Sequence, residues 1–171
     1  SCGWYNGTGT ERLKDGNRLH GAAVAFVLVA ALPGVQAMAA NGWDLYGATC
    51  SLCHQTGAKG LPGQFPPLAG RVDRIAATPE GRRYLAHVLL NGLSGEIKAD
   101  GQTYKGYMPS FGSQPDETIA AVLTYVASLG ATNPPPTFSA DEIRAARAGG
   151  ALSPAAILDE RTKLNAAHPL P

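Results

Sequence analysis

Cys50-Ser51-Leu52-Cys53-His54 constrains this chain more than any other stretch. The pattern C-x-x-C-H is the signature of c-type haem attachment. A two-residue spacer within one helical turn presents both sulfurs to one side of a porphyrin, where they form thioether links to its vinyl groups. His54, next in line, turns its imidazole onto the iron as the proximal ligand. Two other chemistries use a C-x-x-C pair. A zinc site wants two further Cys or His at close spacing, and none is near. A redox dithiol of thioredoxin type wants a strand before it and a βαβ context, whereas Trp43 to Thr49 reads as helix. The expectation is one haem c, covalent through Cys50 and Cys53.

At 171 residues the chain accommodates one domain with a real core. A net charge of +1 argues against strong binding to nucleic acid or to a membrane surface. Residues 1–40 read as a targeting segment. Arg12, Lys14 and Arg18 precede an apolar run from Gly21 to Leu32, broken by Pro33-Gly34, and Ala37-Met38-Ala39 supplies an A-x-A cleavage site. The run is short of the ~20 apolar residues that span a bilayer, so cleavage near Ala37 or Ala39 is favoured over an uncleaved anchor. The mature protein is expected in the periplasm, without stable membrane insertion. Beyond Ala39 the basic and acidic side chains balance.

Asn41 is placed to cap a helix running through Trp43, Leu45, Tyr46 and Ala48 into the haem motif. From Gln55 to Gly70 the density of Gly and Pro marks a loop, as a chain passing around the edge of a flat macrocycle requires. Thr78-Pro79-Glu80 opens a helix whose apolar face is Tyr84, Leu85, Val88 and Leu89, and which stops at Asn91-Gly92. Gly95 to Tyr104 alternates around Asp100-Gly101, a hairpin signal. Gly106 to Phe111 reads as an extended loop. Asp116 to Leu129 is the strongest helix, with Ile119, Val122, Leu123 and Val126 as its stripe and Gly130 as its stop.

Asn133 to Pro136 is a stiff linker. Ser139-Ala140-Asp141-Glu142 is a capping box opening a short helix to Ala148, and Ser153-Pro154 opens another to about Leu164. Asn165 to Pro171 is expected to be loose. The tail has few large apolar residues, and its pattern is compatible with a strap on the domain or a dock for a partner. The organisation expected is a targeting segment over 1–40, a haem domain over 41–131, and a Pro-rich linker with a helical extension over 132–171.

The sixth iron ligand carries the functional question, because an iron with one protein ligand catalyses or binds gas and an iron with two usually carries electrons. Met108 is the only methionine beyond the cleavage site, and it lies in a loop bounded by Gly106 and Pro109 rather than on a periodic apolar stripe, where a packing methionine usually sits. His87, on a helix flank, and His168, in the tail, are weaker rivals. The expectation is a low-spin haem with His54 and Met108 as metal ligands, at a potential above that of a bis-His haem.

Trp43 to His54, the loop Pro66-Pro67-Leu68-Ala69-Gly70, Met108-Pro109 and the helix from Asp116 to Leu129 together resemble the class I cytochromes c. The resemblance spans roughly Asn41 to Gly130. It implies an all-α fold of three main helices wrapped on the haem, with the first and last crossing near Gly47 and Tyr125. It further implies that a loop proline carbonyl accepts the His54 Nδ1 hydrogen bond, Pro66 matching best with Pro67 open, and that Leu68 packs on the haem face. The hairpin and the run from Thr103 to Pro109 look more like cytochrome domains that serve periplasmic dehydrogenases or are fused to copper enzymes. The family's propionate-binding residues do not carry over cleanly. Arg71 and Arg74 are near, and the reading favoured for both is an ordinary solvent-exposed arginine.

These features point to a periplasmic monohaem electron carrier, not an enzyme, exchanging electrons with a dehydrogenase donor and an oxidase or reductase acceptor. The alternatives are the same cytochrome held permanently as a subunit of a periplasmic dehydrogenase or reductase, and a peroxidase or gas sensor with an open iron. The last two need a displaceable sixth ligand, and the peroxidase also needs a distal acid–base group.

Overall fold

The computed structural model describes residues 41–171; the targeting segment expected over 1–40 lies outside the described residues. Helix α1 (Gly42–Thr49) is capped by Asn41, whose side chain accepts from the Trp43 amide at 3.1 Å. Cys50 stays in helical conformation, so α1 runs directly into the single turn α2 (Ser51–His54). A 3-10 turn (Thr56–Ala58) and the loop to Gly70 lead into α3 (Val72–Ile75), a one-turn helix the sequence pattern does not announce. Helix α4 (Pro79–Asn91) starts as expected, with Thr78 Oγ1 accepting from the Gly81 amide and Pro79 at the first helical position. Helix α5 is Asp116–Ser128.

Between α4 and α5 the chain forms a two-stranded antiparallel sheet, β1 (Leu93–Ala99) and β2 (Gln102–Met108). Asp100 and Gly101 both have positive φ, 49° and 74°, the geometry of the tight hairpin turn that Asp-Gly favours. The ladder runs further than the sequence suggests, pairing Glu96 with Lys105, Gly95 with Gly106 and Leu93 with Met108. Met108 is therefore the last residue of a strand, not part of an extended loop. Backbone pairing, Gly95 opposite Gly106 included, carries the ladder where side-chain alternation is too weak to signal a strand.

Helices α1 and α5 cross closely, but at Gly42 rather than near Gly47. A Cβ on Gly42 would stand 2.2 Å from the Ala121 carbonyl oxygen and 2.8 Å from Tyr125 Cβ, whereas Gly47 faces open space. The Tyr46 and Tyr125 rings meet one turn along, with centroids 5.4 Å apart. Around this crossing the core gathers Val72, Ile75, Tyr84, Leu85, Val88, Ile119, Leu123 and Val126. Asp73 is buried beneath the end of α5, where its Oδ2 accepts from the Thr132 hydroxyl at 2.8 Å and the Thr132 amide at 3.2 Å. Burial would raise the Asp73 pKa, but the hydrogen bonds from Thr132 and from backbone amides outweigh it and hold the carboxyl below its ordinary 3.8.

The tail is a strap. Helix α6 (Ala140–Ala148), opened by the full capping box of Ser139 and Glu142, lies on α4 and α5. Helix α7 (Pro154–Ala167) lies on α4 and β1. Ile143 and Ile157 are both 0% exposed. The large apolar residues are few but correctly spaced: Ile157, Arg161 and Leu164 recur on one face of α7 and are all buried. Leu158 packs into the space over Gly95, where a Cβ would stand 2.5 Å from its Cδ2. The terminal residues are not loose. Helix α7 continues past Leu164 to Ala167, Leu170 packs on the core, and the Pro171 main-chain oxygen accepts from Arg71 Nε at 2.7 Å.

A candidate haem site

The turn of α2 sets the two cysteines. The Cys53 and His54 amides both donate to the Cys50 carbonyl, at 3.2 Å and 2.9 Å, so Cys50, Cys53 and His54 share one helical turn. Both thiols are free, and burial, with a contribution from Cys53, pushes the Cys50 thiol up to about 11. Among the described residues no third Cys, His, Asp or Glu joins them in a metal-binding cluster, as a zinc site would require.

The helix breaks at Gln55, with φ 61°, and the chain doubles back. Tyr46 Oη donates to the Gln55 carbonyl at 2.7 Å, tying the break to α1. The fully buried Ala58 accepts from the Leu68 and Ala69 amides at 2.9 Å and 3.1 Å, which draws the Pro66–Leu68 segment over the His54 ring. Gly60 sits inside this fold-back at φ 69°, and a Cβ there would stand 2.5 Å from the Phe65 carbonyl oxygen. The result is a His54 Nδ1 to Pro66 carbonyl distance of 2.9 Å. The Pro67 carbonyl is used elsewhere, accepting from Arg71 Nη1 at 2.7 Å. With Nδ1–H donating to Pro66, the Nε2 lone pair is left for a metal. Burial is the largest influence on His54 and lowers its pKa, partly opposed by the Pro66 bond and assisted by the Arg71 charge, so the imidazole is neutral, its ligating form.

Leu68 and Met108 are both half-buried against the core. The chain after Met108 is stapled to the end of α4: Ser110 Oγ donates to the Leu90 carbonyl at 2.5 Å and the Phe111 amide to the Leu89 carbonyl at 2.8 Å. A Cβ on Gly92, at φ 81°, would stand 2.6 Å from the Met108 carbonyl oxygen, so the α4–β1 junction and the Met108 backbone are in close approach. The rival histidines are engaged elsewhere or exposed. His87 Nδ1 is 2.7 Å from Glu160 Oε2 on α7, and His168 is an exposed cap of that helix.

Arg74 is exposed, its Nε donating to the Gly70 carbonyl, but Arg71 is not an ordinary surface arginine. It is 5% exposed, because the Pro67 carbonyl and the Pro171 main-chain oxygen together draw its guanidinium inward. Its Nη2 is buried with no hydrogen-bond partner. Arg161 on α7 is likewise buried and was missed by sequence reasoning, although its place on the Ile157–Leu164 face was the available signal. A buried guanidinium N–H left open beside the proximal loop suits a group that carries carboxylates. Together with the paired thiols and the oriented neutral imidazole, these residues fit haem c.

Comparison with known proteins agrees. Residues 37–126 match the family model described as cytochrome c oxidase, cbb3-type, subunit III. The chain is 43% identical over 145 residues to a cytochrome c-552 of Thermus thermophilus, an alignment covering 82% of this chain and 95% of that protein. It is 44% identical over 129 residues to another cytochrome c-552 of Thermus thermophilus, covering 73% and 97% respectively. It is 34% identical over 125 residues to the fructose dehydrogenase cytochrome subunit of Gluconobacter japonicus, covering 69% of this chain but 24% of that protein. The attachment turn, the oriented imidazole and these matches have one reading: the chain belongs to the c-type cytochromes, proteins that bind haem and transfer electrons.

Proposed function

We propose that this protein is a periplasmic one-electron carrier whose single haem is held covalently by Cys50 and Cys53, with iron between His54 and Met108. When bound, the haem supplies the Fe(III)/Fe(II) couple, and no substrate bond is made or broken. The observation that carries the reading is the 2.9 Å His54 Nδ1 to Pro66 carbonyl contact, which orients a buried neutral imidazole. A hydrogen-bonded imidazole keeps its ring plane and its basicity, and hence holds the potential steady. Leu68 and the residues around Met108 keep water from the iron, and a thioether from Met108 favours the reduced state. A strand terminus stapled to α4 is a rigid mount for that ligand, suited to a carrier that must not reorganise on each transfer.

The organisation that goes with this function is a removed targeting segment over 1–40, a haem domain over 41–131 and a linker with helical extension over 132–171. Partners are redox proteins that dock weakly at the haem edge, in the small, transient class of interface. Lys59 and Lys105, both exposed, are candidates for its rim.

The test is the visible spectrum, oxidised and reduced, with and without carbon monoxide, on wild type and Met108→Ala. Low-spin bands with the weak Met-to-iron(III) charge-transfer band, unmoved by carbon monoxide, are expected for wild type. Met108→Ala is expected to lose that band, bind carbon monoxide when reduced, and fall in potential. A variant spectrum identical to wild type would remove Met108 from the iron. A wild-type haem that takes carbon monoxide readily would favour the enzyme or sensor reading.

The similarity to a dehydrogenase's cytochrome subunit favours one second reading, in which the same carrier is a fixed subunit of such a complex. Purification from native membranes and periplasm separates the two, since a fixed subunit co-elutes with a dehydrogenase and a carrier elutes alone.

A further inference from the structure

Met108 closes a hairpin that has little of its own to hold it. An antiparallel pair of strands is marginally stable by itself and needs a helix or a further strand to pack on. In β2 only Tyr104 is buried, while Gln102, Thr103, Lys105, Gly106 and Tyr107 are exposed. The hairpin is supported on its other side, where β1 lies on helix α7 of the C-terminal extension.

The extension grips that stretch at three places. Ahead of α7, the Leu152 amide donates to Asn91 Oδ1 at 2.9 Å, at the end of α4 where the chain turns into β1. On α7, the half-buried Leu158 fills the space above Gly95, where even one added carbon would stand 2.5 Å from its Cδ2. One turn further, Arg161 donates to the Lys98 carbonyl at 2.7 Å and to Tyr84 Oη at 3.2 Å, which joins the far end of β1 to the core helix α4. The ladder passes these holds across to the other strand. Gly95 stands opposite Gly106, Lys98 opposite Thr103 and Leu93 opposite Met108. After Met108 the chain is fixed to α4 by Ser110 and Phe111. Before it, the hold on β2 passes through the ladder to β1 and from β1 to α7.

We propose that α7 is the outer support of the mount that carries the sixth ligand, with Leu158 and Arg161 as positioning residues that set how often Met108 leaves the iron. The proposal rests on the His54/Met108 reading above. A strand that opens locally releases the ligand it carries without unfolding the rest of the molecule. An external ligand binds the iron only in the open fraction, so its apparent affinity reports that fraction. The extension thereby keeps the iron closed to small molecules as well as covering the core.

The test titrates the oxidised, full-length holoprotein with imidazole, following loss of the Met-to-iron(III) band in wild type, Leu158→Ala, Leu158→Met and Ile143→Ala. Ile143 is fully buried on α6, which lies on α4 and α5, so its truncation weakens the extension away from the hairpin. Leu158→Ala is expected to bind imidazole roughly tenfold more tightly than wild type, because the open fraction rises by that factor. Leu158→Met, which keeps the volume over Gly95, should return close to wild type. Ile143→Ala should lose stability to guanidinium yet keep the wild-type imidazole affinity. An unchanged affinity in Leu158→Ala overturns the proposal, and so does an equal gain in Ile143→Ala, which would assign the effect to general loosening. If Leu158→Ala does not accumulate with haem, the milder Leu158→Val takes its place: a gain in affinity supports the proposal and none refutes it. A wild type that lacks the Met-to-iron(III) band refutes Met108 as the ligand itself, so the two failures are distinguishable.

Discussion

Substituting Gly42 and Gly47 by alanine, one at a time, should change stability in opposite directions. Ordinary van der Waals contact begins at 3.4 Å, and a Cβ on Gly42 would stand 2.2 Å from the Ala121 carbonyl oxygen and 2.8 Å from Tyr125 Cβ. The first obstacle is backbone of a helix, which no rotamer change can move. Restoring contact means backing α1 away from α5 by about 1 Å, which also loosens the Tyr46–Tyr125 pair. Overpacking of this kind costs roughly 1–3 kcal/mol, and a backbone clash belongs at the upper end. The gain in helix propensity is small at the first helical position, so the net loss should be about 2 kcal/mol. Gly47, by contrast, sits within α1 with nothing within 4 Å of a new Cβ, so its alanine should gain about 0.5–1 kcal/mol from propensity alone. The assay is guanidinium denaturation of the holoprotein followed by far-UV circular dichroism, with slopes compared to confirm that the denatured state is unchanged. Equal midpoints for the two variants, or a Gly42→Ala midpoint at or above wild type, would refute the crossing as described.

Two further perturbations test the packing. Ile157→Ala should cost about 2–5 kcal/mol, the range for deleting a fully buried aliphatic side chain, whereas a tail that merely rests on the surface would lose almost nothing in the same denaturation. Asp73 has a folded pKa held below 3.8, so its contribution is present above pH 3.8 and is lost as pH falls through the lower, folded value. Asp73→Asn should therefore flatten the acid limb of the stability–pH curve below pH 3.8, and a limb as steep as wild type would remove this carboxylate from acid unfolding.

Some of this protein was determined by the sequence alone, because the determinants are local. Cys50, Cys53 and His54 lie within one helical turn, so their mutual placement follows from spacing. Thr78-Pro79, the Ser139–Glu142 box and Asp100-Gly101 act on the backbone within four residues, and each formed where its residues stand. What depended on distant parts of the chain was decided by the tertiary structure. Whether Pro66 or Pro67 faces His54 was settled by Ala58, whose carbonyl sets how the loop folds back. The crossing glycine is Gly42 because α5 presents Ala121 there, which no periodicity in α1 reveals. Met108 ends a strand because the ladder extends past the alternating residues by backbone pairing alone. The burial of Arg71 and Arg161 depends on main-chain oxygens at Pro67, Pro171 and Lys98, up to 100 residues away in the chain. Charged residue types signal exposure in a sequence, and only the folded chain could place carbonyls around these two and draw them inside.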